Sequence, residues 1–179
     1  MSHLFVSLGL MNLLAAMAPG PDFAIVVHQV LQHGRRAGCW TALGISLALL
    51  VHMSYCAFGL TLIIQQAHWA LVGIKFLGGS YLIYLGITAF RSATTTKSEI
   101  TLKTPPSMSP FQACRAGFLT NVLNPKAMLF VLAMFTMVSS HGLHGLQRAF
   151  IAAEVCLIVF VWFCGLSWMM THPKVYRHF

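Results

Sequence analysis

The sequence predicts an all-α integral membrane protein of about five transmembrane helices, the first and fourth broken by proline. Three observations predict it. Of 179 residues, 58% are hydrophobic and only 8% are charged, a third of the roughly 25% found in soluble domains. The apolar residues fall into five long runs with short polar segments between them. Two of these runs are interrupted, by Ala18-Pro19-Gly20-Pro21-Asp22 and by Asn124-Pro125-Lys126-Ala127. Proline leaves a backbone carbonyl without its donor, and in hydrocarbon such breaks persist only where protein or a wet cavity covers them. Matched breaks in the two halves of a membrane chain point to a transporter's binding site.

The first run covers residues 4–30. Its length, roughly 40 Å as a straight helix, exceeds a bilayer core of about 30 Å unless the Pro-Gly-Pro sequence bends it. Ala16-Met17-Ala18 has the small-x-small pattern of a signal-peptide cleavage site. The preceding segment has no Lys or Arg, Pro19 follows the cut, and the apolar run resumes at once, so it is expected to stay as a span. A short turn, His33-Gly34-Arg35-Arg36-Ala37-Gly38, leads to a second run at residues 40–64. The uncharged turn Gln65-Gln66-Ala67-His68 precedes a third run at residues 69–90. Residues 91–110, with Lys, Thr, Ser and Pro105-Pro106, form the one extended linker. The fourth run is 111–138, interrupted at Asn124-Pro125, and the fifth is 148–170, followed by a basic tail.

These boundaries divide the chain into a first three-helix repeat (1–90), a cytoplasmic linker (91–110) and a second, incomplete repeat (111–179). Each half opens with a proline-broken span, so a three-span unit copied in this way enters the membrane from opposite sides as an inverted repeat. The net charge of +8 does not point to nucleic acid, because the basic residues form no continuous stripe. Arg35, Arg36, Arg91, Lys97, Lys103, Lys174 and Arg177 lie in the loops after runs one, three and five. That asymmetry places the N-terminus outside and the C-terminus in the cytoplasm of a multi-pass protein in the lipid bilayer.

The chain has only three acids, Asp22, Glu99 and Glu154. Glu99 falls in the linker. Asp22 and Glu154 lie within spans, where an ionisable group costs about 2.5–3.5 kcal/mol and so faces an interior cavity with a partner. Asp22 has two readings: a cap on the helix that restarts after the break, or a substrate- or proton-binding carboxylate. Lys126 is the one basic residue beside a mid-span break, since Lys75 lies near a span end and can snorkel. If the halves face each other, Asp22 and Lys126 approach and clamp the ammonium and carboxylate of a zwitterion, an amino acid. The helix N-terminus after Pro125 adds its dipole to the carboxylate end, and Asn124 supplies an amide to backbone or substrate.

His28 and His52 also lie within spans. Histidine titrates near neutral pH and suits proton coupling, although a lone intramembrane His is more commonly a packed hydrogen-bonding group. Glu154, with no basic residue nearby in sequence except Arg148, is the expected proton carrier, with His52 as its companion. Gly44, Gly59 and the third-run glycines Gly78, Gly79 and Gly86 are expected to let helices pack closely. Cys39, Cys56, Cys114, Cys156 and Cys164 form no CxxC and, with His, no zinc spacing, so they read as small apolar residues. No metal and no cofactor are expected.

Pro19-Gly20-Pro21-Asp22-Phe23, then Gly34-Arg35-Arg36-Ala37-Gly38 and Leu43-Gly44-Ile45, resembles the N-terminal signature of the LysE/RhtB amino-acid exporters. Gly78-Gly79-Ser80-Tyr81-Leu82, Gly117-Phe118-Leu119-Thr120-Asn121 and Asn124-Pro125-Lys126-Ala127 carry the resemblance through nearly the whole chain. Glu154 with Trp162 is most similar to the homoserine/threonine branch. The resemblance implies export of amino acids or their derivatives across the bacterial inner membrane, driven by the proton gradient. It makes Asp22, Asn124, Pro125 and Lys126 central, and implies association into homo-oligomers, for which the sequence identifies no surface. Members usually continue into a sixth span after the segment His172-Pro173-Lys174-Val175-Tyr176-Arg177, where this chain ends. The alternative function is therefore a shortened, transport-inactive member that acts as a membrane-embedded or partner-bound subunit. An enzyme that passes electrons through thiols would need a cysteine pair beside the breaks, and neither break has one.

The loop count makes one expectation directly testable. A cysteine introduced at Lys97 should react with an impermeant maleimide only from the cytoplasmic side. Labelling of that position from outside alone would reject the orientation.

Overall fold

The computed structural model describes residues 2–66, 108–140 and 145–171, and all of its regular structure there is helical. The six helices are α1 (Ser2–Met17), α2 (Pro21–His33), α3 (Arg35–Gln66), α4 (Pro110–Val122), α5 (Pro125–Ser140) and α6 (Gly145–Met170). Two stretches are long and apolar enough to cross a membrane as single helices, Arg35–Cys56 within α3 and Gly145–Met170. The other four helices form two bent pairs, α1–α2 with a bend of 60° and α4–α5 with a bend of 64°. Counting each pair as one broken span brings the described spans to four. The third run (69–90), residues 91–107 of the linker, the basic tail, and with them Lys75, Glu99, Gly78, Gly79 and Gly86, lie outside the described residues.

Both bends arise where the sequence removes backbone donors. Pro21 is the first residue of α2 and Pro125 the first of α5, where a missing N–H is tolerated and the fixed φ suits a new helix. The start of α4 carries the clearest local signal. Ser109 Oγ accepts from Gln112 N–H at 3.2 Å, and Gln112 Oε1 accepts from Ser109 N–H at 3.0 Å, a reciprocal capping box with Pro110 following.

The turn expected over residues 33–38 is much shorter in the structure. Gly34 alone separates α2 from α3, with φ 81° and ψ 177°, and its N–H still reaches Val30 C=O at 2.9 Å. Positive φ is readily adopted only by glycine, so one residue reverses the chain and Arg35 already begins the next helix. Its guanidinium then lies 4.5 Å from the Trp168 ring centroid on α6, a cation–π contact at the end of both helices.

The distribution of side chains is that of a protein in an apolar solvent. Val6, Leu10, Leu14, Leu47, Leu50, Phe150, Leu157, Val161 and Trp168 are exposed, whereas Asn12, Gln29, Thr41, Ser46, His52, Asn121, Asn124 and Ser167 are buried. The buried hydroxyls bond the carbonyl one turn back: Thr41 to Ala37 at 2.9 Å, Ser46 to Ala42 at 3.0 Å and Ser167 to Phe163 at 2.7 Å. Such back-bonding satisfies a hydroxyl without a partner helix.

α3 and α4 cross at glycine. A Cβ on Gly44 would strike the Cys114 carbonyl, and a Cβ on Gly117 would strike that of Thr41. The two glycines therefore let backbone meet backbone from both sides of the crossing, as small residues do in membrane helix pairs. The expectation for Gly44 holds, and Gly117 is its counterpart. Replacing Gly117 by Val should lower stability by at least about 1–3 kcal/mol through overpacking. Gly165→Ala, at a position where a Cβ meets nothing, should leave it unchanged. Thermal unfolding of both variants in detergent checks the contrast.

Candidate functional site

Each break is completed by the other. α1 ends as Ala18 N–H bonds Leu14 C=O at 3.1 Å, and Ala24 N–H reaches Gly20 C=O at 2.9 Å after the break. The Ala18 carbonyl, left without a helical partner where the chain breaks, accepts instead from Lys126 Nζ at 2.9 Å. At the second break Leu123 N–H bonds Leu119 C=O at 3.1 Å and Asn124 N–H bonds Asn121 C=O at 2.9 Å. Asn124 Oδ1 accepts the Lys126 N–H at 3.0 Å, which caps the start of α5.

Asp22 does not cap its own helix. The residue before α2 is Gly20, in extended backbone and with no side-chain cap. The carboxylate turns to the opposite break, where Oδ2 accepts from Asn121 Nδ2 at 2.9 Å and from Asn124 Nδ2 at 3.1 Å. Since Asn124 Oδ1 must face the Lys126 N–H, its NH2 is left for the acid. The same side chain thus caps one half-helix and binds the charge of the other.

Gly20, Asp22, Asn124 and Lys126 line one cavity together with Asn12 and Asn121, against Phe130, Val159 and Phe163. Its volume is about 40 Å³, on the order of three waters at 10–15 Å³ each. Asp22 and Lys126 face this space without an ion pair within 4.0 Å; the acid is held by amides and the ammonium by a carbonyl. The two charges are therefore both presented to the cavity. A Cβ on Gly20 would lie 3.3 Å from Lys126 Nζ, so glycine leaves room for the lysine at the break.

The remaining candidates lie elsewhere, and the two residues expected to couple protons, Glu154 and His52, are not among the cavity-lining side chains. His52 is buried on α3, with Nε2 3.0 Å from the Asn121 carbonyl oxygen and Nδ1 bonded to the Tyr55 hydroxyl. It thereby holds the last turn of α4, from which Asn121 reaches Asp22. Oε1 of Glu154 on α6 lies 2.9 Å from where a Cβ on Gly9 of α1 would sit, beside Ile158. Its Oε2 is buried without a hydrogen-bond partner. His28 is exposed on α2. All five cysteines are free.

Asn121 and Asn12 are the site residues that the sequence pattern did not single out. Asn121 is three residues before Asn124, the spacing that shares a helix face, and is 1% exposed. Asn12 interrupts the apolar sequence Leu10-Met11-Asn12-Leu13-Leu14, and its Nδ2 bonds the Val155 carbonyl of α6 at 3.0 Å. A buried amide in an apolar span needs such a partner, which was the available signal.

Comparison with known proteins adds to this geometry. A sequence model described as LysE type translocator matches residues 13–178. The threonine efflux protein of Salmonella typhimurium is 29% identical over 180 residues, covering 99% of this chain and 86% of that protein. The threonine efflux protein of Escherichia coli is 28% identical over the same share. The uncharacterized membrane protein YahN of Escherichia coli is 30% identical over 159 residues, 89% of this chain and 71% of that one. No solved structure matches.

The double role of Asn124 has a measurable signature. Asn124→Ala should lower stability by about 0.5–2 kcal/mol through loss of the α5 cap. Asn124→Ser restores a capping oxygen but no amide for Asp22, and should recover part of that loss. Thermal unfolding of the two variants in detergent provides the check.

Proposed function

Because this chain belongs to the LysE type translocators, a family of membrane transporters and not of enzymes, we propose that it exports small neutral amino acids of the threonine and homoserine kind from a bacterial cytoplasm in exchange for protons. The observation that carries this reading is the pair of opposite charges, Asp22 and Lys126, which line one cavity without an ion pair within 4.0 Å. Asp22 receives the substrate ammonium. Lys126, with Asn124 and the N-terminus of α5, receives the carboxylate, where the helix dipole adds to the ammonium charge. Both ends of a zwitterion are thus met by charge in a low-dielectric surround, where charge-assisted hydrogen bonds are strongest. The names of the threonine efflux relatives support the same substrate class.

The finer architecture belongs to this proposal. Five spans, with the N-terminus outside and the C-terminus in the cytoplasm of the inner membrane, form an inverted repeat of residues 1–90 and 111–179 joined by the linker 91–110. The near-equal bends of 60° and 64° and the exchange of bonds between the breaks support it. Pro19, Gly20, Pro21 and Pro125 make the half-helices whose ends converge on the midplane.

Asp22→Asn and Lys126→Gln should each reduce L-threonine or L-homoserine efflux by about 10- to 100-fold, as expected for losing a charged hydrogen-bond partner of about 1.5–3 kcal/mol. Membrane abundance should stay near that of the wild type. Efflux from preloaded cells, normalised to the amount of protein in the membrane, measures this. Normal export by either variant would remove that residue from the clamp.

A further inference from the structure

Donors and acceptors do not balance at the cavity. Asp22 Oδ2 accepts two amide bonds, but Asp22 Oδ1, on the same carboxyl group, is buried with no hydrogen-bond partner. Asn121 Oδ1 is buried and unpartnered as well. The two side chains already touch through Asn121 Nδ2, and Asn121 is 1% exposed. A buried acceptor left without a donor costs about 1–3 kcal/mol, more on a charged group. Turning the Asn121 amide over does not restore the balance, because it would aim a second oxygen at Asp22. One added hydrogen between the two Oδ1 atoms does, in the pairing that a carboxylic acid makes with a primary amide. An ammonium group offers hydrogens to the same two oxygens.

We propose that Asp22 Oδ1, with Asn121 Oδ1 beside it, is the single position that the exchanged proton and the substrate ammonium occupy in turn. The proposal rests on the amino-acid/proton exchange put forward above and names the atoms that couple the two fluxes. With the cavity open to the cytoplasm, ionised Asp22 takes the ammonium of the zwitterion. After release outside, a proton from that side binds Oδ1, returns with the protein and leaves into the cytoplasm. One zwitterion moves out and one proton moves in, and neither transfers an atom to the other. Coupling follows because one oxygen cannot hold both.

The neighbours favour Asp22 over the carrier expected from the sequence. The cavity presents Asn12 from α1, Asn121 from α4, Asn124 from the break before α5, Lys126 from α5, and Val159 and Phe163 from α6. Lys126 is the one charged group lining it with Asp22 among the described residues, and its ammonium bonds Ala18 C=O. From α3, His52 reaches the Asn121 carbonyl with one ring nitrogen and Tyr55 with the other, so both are engaged. Glu154 Oε2 also lacks a partner. Its carboxyl, however, lies against Gly9 and Ile158 at the α1–α6 contact, and Glu154 does not line the cavity.

The test uses the full chain in proteoliposomes with L-threonine as probe. Infrared difference spectra between acidic and alkaline buffer should contain the C=O band of a buried carboxylic acid, and L-threonine should remove it. The band should be absent in Asp22→Asn, present in Glu154→Gln, and shifted in Asn121→Leu, where the acid loses its acceptor. Binding of L-threonine to acid-equilibrated wild type should release about one proton, and its Kd should rise about tenfold per pH unit below the titration of the site. The wild-type spectra and proton release decide the matter even if a variant does not assemble. L-threonine flux with an unresponsive band, or a band that survives in Asp22→Asn, overturns the shared position while leaving export standing. Absence of L-threonine flux in the wild type overturns the export reading and this inference together.

Discussion

The structure depends on the mutual satisfaction of two broken helices. Prolines in spans one and four free backbone groups where lipid offers no hydrogen bonds, and each break supplies what the other lacks. Lys126 Nζ donates to the Ala18 carbonyl, and Asn124 bonds both the Lys126 N–H and the Asp22 carboxylate. The second break is closed in part by its own Asn124, and both breaks draw on side chains of the other. The bends of 60° and 64° thus meet across one polar centre, which is also the candidate site.

The surrounding packing serves to hold that centre in register. At Gly44 and Gly117 the backbones of α3 and α4 meet without intervening side chains. The crossing brings His52 within 3.0 Å of the carbonyl of Asn121, and the other end of Asn121 holds Asp22. On the opposite side Asn12 ties α1 to the Val155 carbonyl of α6. These contacts place buried amides and an imidazole around the two charges, while apolar side chains such as Leu10, Leu50 and Leu157 point outward. Polar groups inside and apolar groups outside is the arrangement a bilayer requires, because the interior is where unsatisfied polar atoms find partners.

Much of this is legible in the order of the residues. Composition identifies a membrane chain, proline locates both breaks within a residue or two, and the isolation of Asp22 and Lys126 among apolar residues marks them for the site. Other features are not legible there. The expected six-residue turn became Gly34 alone, since the extent of a helix into polar residues such as Arg35 and Arg36 depends on packing, here against Trp168. Asp22 was open to a capping role, and only the position of the opposite break shows its oxygen taken by Asn121 and Asn124. Asn121 ends the Gly117–Asn121 segment that carries the resemblance, but nothing beyond its spacing from Asn124 marks it as a site residue.

The sequence by itself determined that the chain is apolar enough for a bilayer, where its helices break, and which few side chains carry charge there. These are one-dimensional properties, set by composition and by the missing N–H of proline. Only the tertiary structure decided which charges share a cavity. Asp22 and Lys126 are 104 residues apart by their numbers, and the packing of the two bent pairs brings them to one space without pairing them. Glu154 sits beside Gly9 rather than in that space. Hydropathy records only that such a group is within the apolar run; where its oxygen atoms lie is decided by which neighbour leaves room, and that is a property of packed helices.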